Sequence, residues 1–394
     1  MMRVVIAPDK FKGSLTAIEA GHAMAQGISR ADPDSVIDEI PMADGGEGTV
    51  SALVAATGGR LREITVQGPL GEPVKACMGL LGDGRTAVIE MAAASGLVLL
   101  APEARDPLRA STRGTGELLR HAIREGYRRV IIGIGGSATN DGGAGLAQAL
   151  GYRLLDGEGA ELEPGGGSLA KLARIDSSGR LPELDQVEIL VACDVANPLC
   201  GPEGASRVFG PQKGATPAVV EQLDRNLDHF AAVVERDLGR AIRDLPGAGA
   251  AGGLGGGLVA FAGGKLRPGV DLVIEAVGLA DRLRIADLCL TAEGCLDAQS
   301  AFGKTAVGVG RLARSLGCPA LALAGRLGPG SEAVLREGIV AYFSISPGPI
   351  SLDESMTQAF TLLKQATEQV YRTYAAGAAW TARRPRHPST RDPA

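Results

Sequence analysis

The stretch RVVIAPDKFKGSLTAIEAGHAMAQGISRADPDSVIDEIPM, residues 3–42, decides the fold. Residues 3–7 form a short β-branched run that ends at a Pro-Asp pair, which is typical of a strand entering a loop. Residues 16–28 are amphipathic with helical spacing and begin with a good N-cap residue. Residues 36–42 predict a second strand. Strand, helix and strand in this order predict a parallel α/β sheet.

The same alternation returns near the other end of the chain. Between the two ends, three extended runs over residues 61–91, separated by turn signals, predict an antiparallel meander. We therefore expect residues 1–64 and 283–376 to form one discontinuous, doubly wound α/β domain, with residues 65–282 inserted as a second α/β domain. The last residues, 377–394, mix Arg with Pro without periodicity and predict a disordered tail.

Composition narrows the class of protein. A formal net charge of −5 and 3% aromatic residues favour no nucleic-acid partner. The Gly-rich stretch 245–264 supplies too little apolar surface for a membrane span. The six cysteines occur singly, without a CxxC pair, so they are expected to be reduced thiols rather than zinc ligands or disulfides. With no signal peptide in view, a cytoplasmic protein is expected.

The segment GIGGSATNDGGAG, residues 133–145, follows a buried-type strand and precedes a helix. Backbone amides freed by such a turn, and the helix N-terminus behind it, favour an anion. The segment is neither a Walker A motif nor a GxGxxG fingerprint, and a tight turn without a ligand is the alternative. The residues that we expect to bind phosphate here are Gly135, Gly136, Ser137, Thr139, Asn140 and Asp141.

Other loops carry acidic and basic side chains at predicted strand ends, where open α/β sheets bind ligands. The first loop offers lysines suited to phosphate or carboxylate, and the second offers carboxylates suited to Mg²⁺ or a hydroxyl. The alternatives are solvated lysines and a helix cap by Asp44. The residues of these two loops are Asp9, Lys10, Lys12 and Ser14, then Asp44, Gly45, Gly46 and Glu47.

Further carboxylates and lysines follow later strands. None of the four histidines stands in a metal or nucleophile motif, and no GxSxG elbow occurs, so the chemistry must depend on carboxylates, lysines and backbone amides. This set fits phosphoryl transfer, in which an Asp accepts the hydroxyl proton. The residues concerned are Asp194 at a strand end with Asn197 and Lys213 beyond it, Asp271 between apolar residues, and Glu293, Asp297 and Lys304 between a strand and a helix.

Ten motifs in sequence order, over residues 2–374, resemble the bacterial glycerate kinase family of the first type. They are PDKFKGSLTA, IPMADGGEGT, MAAASGL, STRGTGEL, GIGGSATNDGGAG, NPLCGPEGA, FGPQKGA, GAGAAGGLGGGL, LRPGVDLV and LDAQSAFGKT. The resemblance implies a flavodoxin-like domain with an inserted α/β domain. It also implies a kinase that uses ATP and Mg²⁺ to phosphorylate D-glycerate at the 2-hydroxyl.

In this interpretation Asp194 or Asp271 takes the hydroxyl proton, and Lys12 and Lys10 balance phosphate charge. The expected metal ligands are Asp194, Glu293 and Asp297, with Lys304 as a further phosphate ligand. Glycerate and ATP are then the expected partners, and the sequence allows a homo-oligomer.

The chain departs from the family pattern at one place. The family reads TGEGR, whereas this chain reads TAEGC over residues 291–295. Ala292 adds a methyl group where glycine would allow positive φ or close ligand approach. Cys295 replaces a guanidinium suited to carboxylate or phosphate. The alternatives to a glycerate kinase are therefore a non-catalytic ligand-binding paralogue and a kinase that acts on another small hydroxy acid.

Overall fold

A computed structural model describes residues 1–298, 300 and 304–383. Its strands are β1 (Arg3–Ile6), β2 (Val36–Glu39), β3 (Arg60–Gln67), β4 (Pro73–Leu80), β5 (Thr86–Glu90), β6 (Arg129–Gly133), β7 (Arg153–Leu155), β8 (Arg174–Asp176), β9 (Glu188–Ala192), β10 (Lys265–Arg267), β11 (Leu288–Leu296), β12 (Ala320–Leu327) and β13 (Ile339–Ser344). Its α-helices are α1 (Ala17–Ala31), α2 (Thr49–Thr57), α3 (Ala92–Ser95), α4 (Arg113–Arg124), α5 (Ala144–Ala149), α6 (Ala205–Phe209), α7 (Pro217–Leu238), α8 (Leu254–Ala262), α9 (Gly269–Ala276), α10 (Leu279–Leu283), α11 (Thr305–Ser315), α12 (Leu352–Thr357) and α13 (Ala359–Arg383).

Of the described residues, the first compact unit comprises 1–40, 280–298, 300 and 309–383. Its sheet is parallel throughout, in the order β13-β12-β11-β1-β2. If only the five strands of this sheet are numbered in chain order, their spatial order is 2-1-3-4-5, which is the order of flavodoxin-like folds. The expected fold class is therefore confirmed. Its core lies between the sheet and the helices α1 and α13.

Helix α1 begins where the sequence predicts. Thr16 accepts a hydrogen bond from the Glu19 amide, and the Glu19 carboxylate accepts one from the Thr16 amide, which completes a capping box. Gly27 allows the close approach of α13, because a Cβ there would lie 2.4 Å from the Lys364 carbonyl oxygen. Sequence-local capping therefore fixes the start of the helix, and a small residue fixes how closely it packs.

Of the described residues, the second unit comprises 41–279 and 304–308, and it has its own core. Its main sheet has the order β10-β9-β6-β5-β4-β3. β3, β4 and β5 pair antiparallel, as the predicted meander requires, whereas β5, β6, β9 and β10 run parallel. β7 and β8 form a separate antiparallel pair. Four parallel strands thus share one carboxyl edge, and the loops leaving that edge carry the charged residues described below.

Some predicted boundaries differ from the observed ones. Residues 41–64 belong to the second unit rather than the first, because α2 packs on β4 and β5 and β3 pairs with β4. Near the C-terminal end, α12 ends at Thr357 and α13 begins at Ala359, with Gln358 between them. α13 continues to Arg383, so residues 377–383 are helical, and the rest of the predicted tail, 384–394, lies outside the described residues. Every helix in the described part of the chain is too short or too polar to cross a membrane.

Candidate functional site

Six of the predicted site residues lie in the first unit, at the point where its strand order reverses. β1 and β11 are neighbours there, and loops leaving the carboxyl ends of such strands diverge and leave a crevice for ligands. Asp9 follows β1, and its amide donates to the carbonyl of Ala292 in β11 at 2.8 Å. We call Asp9, Lys10, Lys12, Ser14, Glu293 and Asp297 the switch-point cluster.

Hydrogen bonds within this cluster fix several of its side chains. The Asp9 carboxylate is buried and accepts from the Lys10 amide at 2.6 Å. Ser300 joins the two acidic residues of β11 and its following loop, donating from its hydroxyl to Glu293 (2.8 Å) and from its amide to Asp297 (3.2 Å). Ser14 donates to the Phe11 carbonyl at 3.2 Å and so closes the turn after β1.

The departure from the family pattern lies within β11, which extends to Leu296. β12 extends equally far and provides its pairing partners. Ala292 is fully buried in the core of this unit. Ala251 is the non-glycine residue with positive φ in the described part of the chain, so Ala292 does not occupy a position that requires glycine for its φ. The Cys295 sulfur lies 3.9 Å from the Asp297 carboxylate.

A cavity of about 370 Å³ opens at the carboxyl edge of the parallel strands in the second unit. Loops after β6 and β9 form two of its walls, and the loop before α2 forms another. Its lining residues are Asp44, Gly45, Gly46, Leu97, Ile134, Gly135, Gly136, Ser137, Ala192, Cys193, Asp194, Val195, Phe209, Gln212, Lys213, Ala250 and Ala251.

Asp44, Asp194 and Asp271 form a carboxylate cluster at this edge. Asp194 Oδ1 accepts a hydrogen bond from the Gly269 amide at 2.8 Å, and this bond orients the carboxylate. Gly269 is the first residue of α9 and stands two residues before Asp271. A Cβ on Gly269 would lie 1.9 Å from the Asp44 carbonyl oxygen, so glycine is needed for the loops to approach this closely. Desolvation raises the pKa of Asp194, and the charges of Asp44 and Asp271 raise it further.

This cluster predicts a pH effect of a single substitution. Asp44→Asn removes a negative charge that disfavours the ionised form of Asp194, so the pKa of Asp194 should fall. If Asp194 acts as a base, it must be ionised, and the acid limb of kcat/KM should move to lower pH by about half a unit or more. A pH profile of Asp44→Asn beside Asp185→Asn, an exposed carboxylate away from the cavity, measures this shift. An unmoved acid limb would contradict the coupling.

Lys213 supplies a cation on another wall of the cavity. Its ammonium is buried and donates to Ser137 Oγ at 2.7 Å and to the Thr139 carbonyl at 2.6 Å. Burial lowers the pKa of Lys213 to about 7, and the charge of Asp141 acts in the opposite direction. The amides of Gly135, Gly136 and Ser137 donate to no protein atom in the part of the chain that the structure describes. A buried cation and three available amides favour an anion here.

The second half of the predicted phosphate turn lies behind this wall. Asp141 is fully buried, and its carboxylate accepts from the amides of Thr112, Gly143 and Gly145 and from the Thr112 hydroxyl. Amides at the start of α5, which the sequence predicts for a phosphate, are therefore used by Asp141. Asn140 is likewise buried and donates to Ser206 at 2.8 Å. Of the predicted turn residues, Gly135, Gly136 and Ser137 reach the cavity.

Other predicted residues lie away from the cavity lining. Glu47 is exposed, and Lys304 precedes α11 with its carbonyl accepting from the Gly308 amide. Conversely, Lys213 lines the cavity, although the sequence alone assigns it no role of its own. Its signal was its place in the FGPQKGA motif, yet a lysine in a Gly-rich loop is ordinarily solvated, and the burial of Lys213 depends on tertiary packing.

The predicted metal ligands divide between two places: Asp194 belongs to the carboxylate cluster, and Glu293 and Asp297 to the switch-point cluster. Within residues 1–298, 300 and 304–383, no three His, Cys, Asp or Glu side chains form a group that could hold a metal ion. A magnesium ion carried by nucleotide phosphates needs only one or two protein carboxylates, and Asp194 in the cavity wall fits that demand.

Both units place charged side chains at the carboxyl edges of parallel strands, which defines an open-sheet α/β enzyme for small anionic substrates. The sequence model of the glycerate kinase family matches residues 4–375, and the chain belongs to this family.

Individual relatives agree with this family. The chain is 52% identical over 370 residues to a glycerate kinase of Halalkalibacterium halodurans, covering 94% of this chain and 97% of the relative. It is 48% identical over 376 residues to the glycerate 2-kinase of Escherichia coli K12, covering 95% and 99%. A crystal structure of a protein from Salmonella typhimurium LT2, described as glycerate kinase 2, superposes with a TM-score of 0.89 at 47% identity, covering 96% and 99%.

Proposed function

We propose that this protein phosphorylates D-glycerate with ATP and forms 2-phosphoglycerate. The observation that carries the proposal is the cavity of the second unit, which has the oriented carboxylate of Asp194 in its wall together with the buried cation of Lys213. Such a site combines an acceptor for a hydroxyl proton with a positive charge that attracts anionic oxygens. Family membership and the named relatives support the choice of glycerate and of the 2-hydroxyl.

In the proposed reaction the glycerate hydroxyl oxygen attacks the γ-phosphorus of ATP. The bond from phosphorus to the β,γ-bridging oxygen breaks, and ADP leaves with its electron pair. Asp194 takes the hydroxyl proton. Asp194 is favoured over Asp271 because it lines the cavity, whereas Asp271 is placed on the first turn of α9 outside the lining.

A divalent ion bound together with ATP would supply positive charge that offsets the charge of the phosphates. Within the second unit, we propose Asp194 as a metal ligand in the cavity. Separately, within the first unit, we propose Glu293 and Asp297 of the switch-point cluster as metal ligands, and Lys10 and Lys12 as the groups that would balance phosphate charge there. Gly135, Gly136 and Ser137 would hold an anionic oxygen through their amides. We place this reaction in the reducing cytoplasm, in keeping with six cysteines that all remain as thiols.

The proposal is tested by incubating the purified chain with MgATP and D-glycerate. We expect ADP release that requires glycerate, and phosphorus NMR of the product should identify 2-phosphoglycerate rather than the 3-isomer. L-Glycerate, lactate and glycolate serve as controls for substrate class. If another hydroxy acid is phosphorylated and D-glycerate is not, the protein is a kinase for that other substrate. If no substrate is turned over faster than in a blank without enzyme, the proposal is contradicted.

Cys295 favours one second candidate, a paralogue that binds ligands without catalysis. If the wild-type protein is a kinase, Cys295→Arg should raise kcat/KM for glycerate about tenfold or more, because a hydrogen bond from a charged group contributes about 1.5–3 kcal/mol. Cys295→Ala, which removes the thiol without adding a cation, should leave kcat/KM near the wild-type value. Glycerate binding by calorimetry without wild-type turnover, followed by turnover in Cys295→Arg, would instead support the paralogue.

A further inference from the structure

In the hydrogen bond between Lys213 and Ser137, the chemistry of the two groups decides which one donates and which one accepts. A lysine ammonium has three N–H donors and no acceptor, so in the 2.7 Å contact Ser137 Oγ must accept. The hydroxyl hydrogen of Ser137 then cannot point at Lys213. Because Ser137 lines the cavity, this hydrogen is available to a ligand there.

Lys213 is itself held firmly. Its amide donates to the Gly210 carbonyl at 2.9 Å, and its ammonium makes a second bond to the Thr139 carbonyl at 2.6 Å, on the same strand-to-helix loop as Ser137. Gly214, with φ of 93°, ends the turn where a Cβ would lie 2.8 Å from the Arg105 carbonyl oxygen. The ammonium is therefore positioned on Ser137 by the fold before any ligand arrives.

We propose that Lys213 is a positioning residue that acts through Ser137, holding its hydroxyl so that the hydrogen points into the cavity and binds an anionic oxygen of a substrate. The neighbouring amides of Gly135, Gly136 and Ser137 complete the receptor. The anionic oxygen comes either from a phosphate of the donor or from the carboxylate of the hydroxy acid. This inference rests on the proposed kinase activity of the cavity and names how that cavity recognises charge.

A double-mutant cycle with Ser137→Ala and Lys213→Met tests the proposal. Each single variant should raise one KM by about 10- to 100-fold, the range of a charge-assisted hydrogen bond. The double variant should be no worse than Lys213→Met alone, because the two residues act as one unit. Ser137→Thr, which keeps a hydroxyl, should restore most of the loss. A higher KM for ATP identifies a phosphate oxygen, and a higher KM for glycerate identifies the carboxylate.

Ligand binding is measured in parallel without turnover, by calorimetry with sulfate and with D-glycerate on the full-length protein. These probes separate the inference from the proposed function, since a protein that phosphorylates nothing can still lose anion binding in the two variants. Lys171→Met and Ser178→Ala, both exposed in the same unit, are the matched controls and should bind as the wild type does.

A pH titration keeps the test decisive if Lys213→Met does not fold. Sulfate and glycerate keep their charge between about pH 6 and 9. Lys213, in contrast, has a pKa of about 7, which burial lowers and the charge of the buried Asp141 raises. As pH rises and Lys213 loses its proton, it can accept the Ser137 hydrogen, so binding in the wild type should lose both the Lys213 charge and the Ser137 donor. Binding should therefore weaken more steeply with pH in the wild type than in Ser137→Ala, where only the charge is lost. Equal losses from Ser137→Ala with and without Lys213, or the same pH dependence in both proteins, would overturn the proposal.

Discussion

Replacing Asp194 by asparagine is expected to lower kcat for glycerate phosphorylation by about 10²- to 10⁴-fold, the usual contribution of a positioned general base. The asparagine oxygen can still accept from the Gly269 amide at the site of the present 2.8 Å bond, so the loop should keep its shape. What is lost is the group that takes the hydroxyl proton and a carboxylate for the metal. Steady-state rates with MgATP and D-glycerate measure the change.

Two further measurements, KM for ATP and the melting temperature, distinguish a loss of catalysis from a loss of folding. We expect KM for ATP to change much less than kcat, and the melting temperature to rise slightly or stay level, because a carboxylate with a raised pKa beside Asp44 and Asp271 is replaced by a neutral group. Asp185→Asn is the matched control for losing an aspartate elsewhere in the unit and should keep full activity. If Asp194→Asn retained more than a tenth of the wild-type kcat, the base would have to be sought at Asp271.

Asp141→Ala is expected to lower the free energy of unfolding of the second unit by about 3–5 kcal/mol, because several buried donors lose their acceptor and each costs about 1–3 kcal/mol when left unpaired. The carboxylate accepts four hydrogen bonds, two from Thr112 at the start of α4 and two from Gly143 and Gly145 at α5. Burial raises the pKa of Asp141, and these donors act in the opposite direction. Without the acceptor, both helix starts would keep unpaired buried donors.

The control for this prediction is Asp83→Ala. Asp83 also accepts from a threonine amide and hydroxyl and from one further amide, but it is exposed in the turn before β5. Water can replace those contacts, so we expect a loss of only about 1 kcal/mol. Chemical denaturation followed by circular dichroism compares the two variants. Equal losses would mean that burial does not set the contribution of Asp141.

The local part of the fold could be predicted from the sequence because it depends on neighbouring residues. The capping box at Thr16, the antiparallel meander and the parallel strands at both ends all follow from period and turn chemistry. Boundaries were predicted less well where a distant partner decides them. β11 extends to Leu296 because β12 pairs along its whole length, and residues 41–64 join the second unit because their partners β4 and β5 lie there.

The same distinction applies to the candidate site. The sequence could show which loops carry carboxylates, lysines and glycines, because the residue types and their positions after strands are local facts. It could not show that Asp141 is buried against Thr112, because these two hydrogen-bonded residues are 29 positions apart in the chain. Nor could it show that Asp44, Asp194 and Asp271 share one edge.

By itself, then, the sequence determined the family, the two α/β units and the chemical inventory of carboxylates, lysines and amides. Only the tertiary structure decided which of these groups face the cavity and which are buried behind its wall. The physical reason is that side-chain roles depend on desolvation and on partners distant in the chain. Lys213 shows this most clearly, because packing converts a loop lysine into a buried cation bonded to Ser137.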